Sequence, residues 1–167
     1  MLFRSFELVQ LSGRQFYDFV GGPNSSDALR AFKPADDQIV RAWKFVSQAG
    51  LNETGLQKIA LAEDGGALAP GIYMLTARAE EVTALDPEAP PVRQILVVSN
   101  RHTALKRGEK HALVWVTDLA TGAPAPDAEV VVYGREYAEL GRGVTEADGD
   151  TAGHALIALP ESAPLYE

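Results

Sequence analysis

The sequence predicts a mostly β protein, a tandem of β-sandwich domains whose first member carries short helical insertions. Three observations lead there. Short apolar runs recur at intervals of about ten residues, with turn signals between them. The runs that read as central strands contain no proline, as a sheet interior requires. The turn signal Pro70-Gly71 launches a strongly strand-like run, Ile72 to Ala77.

The elements follow in chain order. Phe3 to Leu11 reads as a strand, with Phe6 and Leu8 on one face and Val9 and Leu11 on the other. Ser12 is an N-cap for a short helix through Phe16, Tyr17 and Phe19, ended by Gly21-Gly22-Pro23. A second short helix opens at Ser25 or Ser26 and buries Leu29 and Phe32. The stretch from Ile39 to Val46 admits two readings. As a strand it puts Ile39, Trp43 and Phe45 on one face; as a helix it nearly aligns Val40, Trp43 and Val46 behind Asp36 and Asp37. Its Trp, Phe and Val favour the strand. Leu56 to Leu61 then pairs back across a polar turn near Asn52-Glu53.

From Pro70 the pattern is all β. Pro70-Gly71 launches Ile72 to Ala77, and a polar loop runs from Glu80 to Pro91. Gln94 to Val98 is an apolar run short enough for a buried strand. After Ser99-Asn100-Arg101, Leu113 and Trp115 alternate with Val114 and Val116. Val130 to Tyr133 follows the Pro-rich turn from Gly122 to Pro126. Leu140 to Thr145 runs into the hairpin signal Asp148-Gly149, with Ala155 to Leu159 as the return strand. A boundary near Ser99 gives residues 1–98 as one domain and 99–167 as an immunoglobulin-like second.

Composition restricts function. The 167 residues hold 15 basic against 23 acidic side chains, a net charge of -8 that disfavours a nucleic-acid partner. Lys106-Arg107 with Lys110 reads as a solvated hairpin face. The absence of cysteine removes disulfides, thiolate nucleophiles and cysteine zinc sites together. No apolar run approaches the roughly 20 residues of a membrane span, so no direct membrane insertion is expected. Met1 to Glu7 resembles no signal peptide, which suits a cytoplasmic protein or an internal segment of a longer one.

No catalytic, cofactor-binding or metal-binding residue emerges. His102, His111 and His154 stand at no metal-ligand spacing and read as polar residues beside strands. Gly141-Arg142-Gly143 lacks the third glycine of a dinucleotide fingerprint and reads as a twisted strand or bulge. Glu146, Asp148 and Asp150 cluster oxygen donors, yet lack the regular spacing of a calcium loop, and turn geometry already explains Asp148-Gly149. Asp36-Asp37 and Glu80-Glu81 are adjacent pairs that a solvated loop accounts for.

One ordered set of motifs is more specific than composition. Gln94 to Asn100 leads to His111 through Pro124, with Val116-Thr117-Asp118 and Thr121-Gly122-Ala123-Pro124 inside it. Ala128-Glu129-Val130 and Thr145-Glu146-Ala147-Asp148-Gly149 follow in order. This series resembles the macroglobulin-like domains of bacterial alpha-2-macroglobulins. Upstream, Trp43 and Ala69-Pro70-Gly71-Ile72-Tyr73 are similar to the preceding domain of that family. The resemblance is strong from about Ala69 to Leu159 and weak before it.

It implies a scaffold segment of a periplasmic or cell-surface protease trap, in which bait cleavage triggers closure. In that family a cysteine-glutamine thioester in a separate domain can capture the attacker covalently; without cysteine, this chain cannot carry it. The implied partners are neighbouring domains and, through the parent protein, target proteases. After Leu159 the second sandwich should need one or two more strands. An exposed edge there, or a cut inside the domain, would invite strand addition and a homo-oligomer. The alternatives are an adhesin-like or carbohydrate-binding surface module and, third, an enzyme with a deep pocket. Trp43 and Trp115 both fall at core-facing positions, which leaves no exposed aromatic platform for a sugar.

Overall fold

The computed structural model describes residues 2–47 and 55–160. The chain divides into two compact units, Met1–Val98 and Ser99–Glu167. Antiparallel strands dominate both, so the mostly β fold class holds.

The first unit is built on one four-stranded sheet in the order β2-β1-β3-β4. Its strands are β1 (Leu2–Leu11), β2 (Ile39–Ser47), β3 (Gly71–Ala79) and β4 (Val92–Val98). Cross-strand register separates the two faces, because partners directly opposite share a side. Val9 faces Ile39 and Met74, and Met74 faces Ile95. These residues form the core with Leu11, covered by helix α1 (Gly13–Val20) through Phe19 and by helix α2 (Ser25–Ala31) through Ala28 and Leu29, with Phe32 just beyond it. Phe19 and Phe32 meet edge to face with centroids 5.0 Å apart.

Helix α1 forms where its cap dictates. The Ser12 hydroxyl accepts from the Gln15 N–H, and the Gln15 side chain accepts from the Ser12 N–H, a reciprocal capping box. Gly21 closes the helix with its N–H on the Tyr17 carbonyl.

The opposite face holds Leu8, fully buried, with Tyr73 and Arg41. The coil of residues 58–69 runs along it. Arg41 Nη1 donates to the carbonyls of Ala60, Leu61 and Ala62 at 2.8, 3.3 and 3.0 Å, and the Tyr73 hydroxyl donates to Ala69 O at 2.9 Å.

Several expectations for this unit need correction. Ile39 does not share a face with Trp43. The ladder slips between Leu8↔Arg41 and Val9↔Ile39, so Val40 is skipped as a bulge and every side chain beyond it changes side. Leu56 to Leu61 makes no strand; its carbonyls serve the Arg41 guanidinium instead of a ladder, and Leu56 is wholly exposed. The turn at Asn52-Glu53 lies outside the described residues. The polar loop after β3 begins with a short helix, α3 (Glu80–Leu85), which Arg4–Glu81 and Lys44–Glu80 ion pairs fasten to β1 and β2. Strand β4 is a half-exposed edge and not a buried run, with Val92 and Val97 in solvent.

The second unit faces a three-stranded sheet with a two-stranded one. The first has the order β5-β6-β9, from β5 (Arg101–Arg107), β6 (His111–Asp118) and β9 (His154–Ala158). The second pairs β7 (Glu129–Tyr133) with β8 (Glu139–Val144). Small residues fill the core. Ala112, Val114, Val116, Ala125, Ala128, Ala155, Ile157 and Leu159 are buried, and Val130, Val132 and Leu140 pack against them.

Asp148-Gly149 does not close a hairpin between β8 and β9. Strand β9 pairs with β6 in the other sheet, so residues 145–153 arch from one sheet to the other. The bulge read at Gly141-Arg142-Gly143 is displaced by one residue: these three pair regularly with Val132, Val131 and Val130, and the register slips at Leu140, between Gly141 and Glu139. The glycine itself answers to packing: a Cβ on Gly141 would stand 2.7 Å from Ala158 O and 2.8 Å from Ile157 Cγ2. Trp115 is the clearest error of face. Val114 and Val116 take the core, which leaves Trp115 outward at 44% exposure. The described residues supply five strands to this unit, and the tail from Glu161 lies beyond them.

Candidate functional surfaces

Each unit presents its own surface. In the first unit the helices cover only part of the core face. Ser5, Glu7, Ala42, Lys44, Thr76 and Arg78 continue that face beyond them and line a shallow trough of about 330 Å³. Thr76 is buried in its floor. Lys44 is engaged by Glu80 at 2.6 Å. Hydroxyls, a carboxylate and cations meet here, but no imidazole lines the trough to activate a hydroxyl.

Beside it, Arg93 works as a structural clamp. Its Nη1 donates to Leu29 O and, at 3.5 Å, to Arg30 O, while Nη2 donates to Phe32 O at 2.8 Å. A guanidinium thus sits on the last carbonyls of α2, where a helix end favours positive charge. Its charge centre also lies 6.0 Å from the Phe32 ring. Burial lowers the Arg93 pKa, with the nearby Arg78 charge adding to the effect. The Glu81 carboxyl is held below its ordinary value by the hydrogen bond from Arg4.

In the second unit the motif residues prove to be fasteners. Asp118 Oδ1 accepts from Ala120 N at 3.1 Å and from Thr121 N and Oγ1 at 2.9 Å each, which lowers its pKa, the Thr121 hydroxyl first. Thr121 Oγ1 in turn accepts from Ala123 N, and Gly122 takes the positive φ of 71° that the turn needs. Thr145 is almost fully buried. Its hydroxyl donates to Ala125 O at 2.7 Å and accepts from Ala128 N at 2.9 Å, tying the Pro-rich turn to the end of β8.

The three histidines are not brought together. In register, His102 faces Thr117, His111 faces Ala158 and His154 faces Trp115. The His154 ring stacks on Trp115 with centroids 5.6 Å apart and planes 2° from parallel. Nor do the loop carboxylates converge. Glu146 takes the Thr151 hydroxyl, while Asp148 precedes a single turn of 3-10 helix. Among the described residues, no group of three or more His, Asp or Glu stands ready for a metal ion. Arg142 lies between Glu139, at 2.7 Å, and Glu129, at 3.1 Å; its pKa is raised, and that of Glu139 lowered, by their mutual hydrogen bond. No helix among the described residues is long and apolar enough to cross a membrane.

Sequence reading missed the exposed Trp115–His154 pair and the Arg93 clamp. The first had a signal: Ala112 before Val114 and Val116 offers an equally apolar alternate face. The second had none, because the carbonyls it binds lie more than sixty residues away.

No established family profile matches the chain, and no curated protein matches it in sequence. Solved structures do. A crystal structure of native alpha-2-macroglobulin from Escherichia coli spanning domains NIE-MG1 superposes with a TM-score of 0.66 at 13% identity, covering 98% of this chain and 76% of that one. A second, spanning MG0-NIE-MG1, gives 0.62 at 14%, with 96% of this chain covered. The chain spans about half of that second structure, 49%. In fold, the chain resembles the NIE-MG1 part of a bacterial alpha-2-macroglobulin across nearly its whole length.

Proposed function

We propose that the chain is a non-catalytic scaffold segment of a bacterial alpha-2-macroglobulin-like endopeptidase inhibitor of the periplasm or cell surface. One observation carries the reading: the likeness to the E. coli structure runs through both units and is not confined to one common sandwich. Two further features support it. The motif residues that suggested the family, Asp118, Thr121 and Thr145, hold turns and cross-links, the work of a scaffold. In the trough Lys44 is engaged by Glu80, and in the arch the Glu146 carboxylate accepts the Thr151 hydroxyl.

In this reading the segment bears load between neighbouring domains while bait cleavage and capture occur elsewhere in the parent protein. The test is made on the complete protein that contains the chain. It is treated with a broad-specificity protease and followed by small-angle scattering. Cleavage accompanied by compaction is expected; cleavage with unchanged dimensions would overturn the trap. The exposed Trp115 keeps glycan binding as the second reading, since ring faces stack on sugars. A glycan-array signal lost in Trp115→Ala would favour it.

A further inference from the structure

The outer face of the β5-β6-β9 sheet is set by three strands that the described residues contain whole. Val114 and Val116 face the core, so Trp115 and Thr117 face out. Register adds His102, Ala104 and Lys106 from β5 and His154 from β9 to the same face.

On this face Trp115 has unequal neighbours. On the β9 side His154 is directly opposite and stacks on it with nearly parallel planes. On the β5 side the residue opposite is the exposed Ala104, a single methyl group. Rings that stack across neighbouring strands, about 4.8 Å apart, stand up from the sheet and do not lie on it. One indole face is therefore covered by the imidazole, and the other looks over Ala104, which fits the exposure of Trp115.

The imidazole is itself fixed. His154 Nδ1 lies 3.1 Å from Thr151 O and 3.2 Å from Ala152 O. Both partners are acceptors, so Nδ1 carries the proton and donates it. Main-chain carbonyls thus hold the ring that backs Trp115, and the indole is set in place before any ligand arrives.

The two ends of the slot are polar. His102 and Lys106 lie two residues to either side of Ala104, about 13 Å apart along the strand, with Thr117 opposite His102. Asp118 is the one carboxylate in the three strands. Alternation puts it on the core side, and the Thr121 turn occupies it. A flat aromatic wall, a small floor, hydrogen-bonding ends and an unopposed cation thus come together in a chain of net charge -8.

We propose that this slot binds an acidic oligosaccharide. One sugar ring stacks on the free indole face above Ala104. Its carboxylates are drawn to Lys106 at one end, and its hydroxyls meet His102 and Thr117 at the other. The shape decides the class of ligand. A pyranose presents a face of C–H groups, partially positive, to the negative face of an aromatic ring, with hydroxyls around its rim. A flat membrane surface would meet the standing indole at its edge and leave that free face unused. The proposal rests on the glycan reading of Trp115 and adds its site and ligand class; the scaffold reading does not depend on it.

The probe is a mannuronate tetrasaccharide, titrated into the isotope-labelled full chain. The Trp115 indole N–H signal should move saturably while that of Trp43 stays in place. Mannotetraose, the neutral counterpart, should bind roughly tenfold more weakly, and the probe should lose a similar factor on Lys106→Glu. Ala104→Phe fills the slot at an exposed position and should abolish binding with an unchanged melting temperature. Should that variant misfold, Trp115→Ala replaces it, with binding read by calorimetry. The proposal falls if the Trp115 signal does not move or if binding survives these substitutions. It falls equally if a tetraglutamate peptide binds as well as the sugar, or if the complete protein that contains the chain does not bind. Equal binding of mannotetraose overturns the acidic ligand and spares the glycan reading, so the two fail separately.

Discussion

The two units bury a sheet face by different means. In the first, helices lie on the sheet and reach it with large side chains: Phe19, Leu29 and Phe32 close over Val9, Met74 and Ile95. In the second, sheet lies on sheet, and the layers meet through alanines, valines and a glycine with no room for a Cβ. The cross-links differ in kind as well. Long arginines fasten the first unit, Arg41 on a coil and Arg93 on a helix end. Short hydroxyls fasten the second, Thr145 and Thr121 on turns. Wide gaps between the sheet and its covering layers are bridged by long side chains whose guanidinium groups reach backbone carbonyls. Narrow gaps between sheets admit only a group that satisfies two backbone partners at once.

This contrast predicts that a short buried linker matters more than a long exposed one. Thr145→Val keeps the shape but leaves Ala128 N–H and Ala125 O without their partner. It should destabilise the second unit by about 2–3 kcal/mol, and Thr145→Ser should recover most of that. Each unit holds one tryptophan, Trp43 or Trp115, so fluorescence-monitored denaturation in the single-tryptophan variants Trp43→Phe and Trp115→Phe reads them separately.

Arg93→Met should cost less, about 1–2 kcal/mol, because water can reach the last carbonyls of α2 once the guanidinium is gone. Hydrogen exchange should rise in α2 and remain unchanged in the second unit. A loss as large as that of Thr145→Val would break the comparison.

The smallest effect concerns pH. Asp118 has a lowered pKa in the folded chain, so its turn is supported above the ordinary carboxylate range. That support is lost as pH falls through the folded value. In Thr121→Val the Asp118 carboxyl should titrate closer to its ordinary value by NMR, with little change in stability at neutral pH.

Much of the first unit's local structure was legible because its signals are local. Ser12 with Gln15 announces α1, and Gly21-Gly22 ends it. Pro70-Gly71 starts β3. What failed was the choice of side. One bulge at Val40 separates Ile39 from Trp43, and no neighbouring residue announces it. In the second unit the strands and turns followed the motifs, while their pairing did not. Asp148-Gly149 looks like a hairpin and serves an arch.

The sequence by itself determined where the caps, most turns and most strands lie, because cap and turn hydrogen bonds join near neighbours and apolar alternation marks a pleated face. It also determined that no thiol chemistry occurs in this chain. Only the tertiary structure decided which faces are buried. Trp115 and Val114 are equally apolar, and packing on β9 and the Pro-rich turn selected the smaller side chain for the interior.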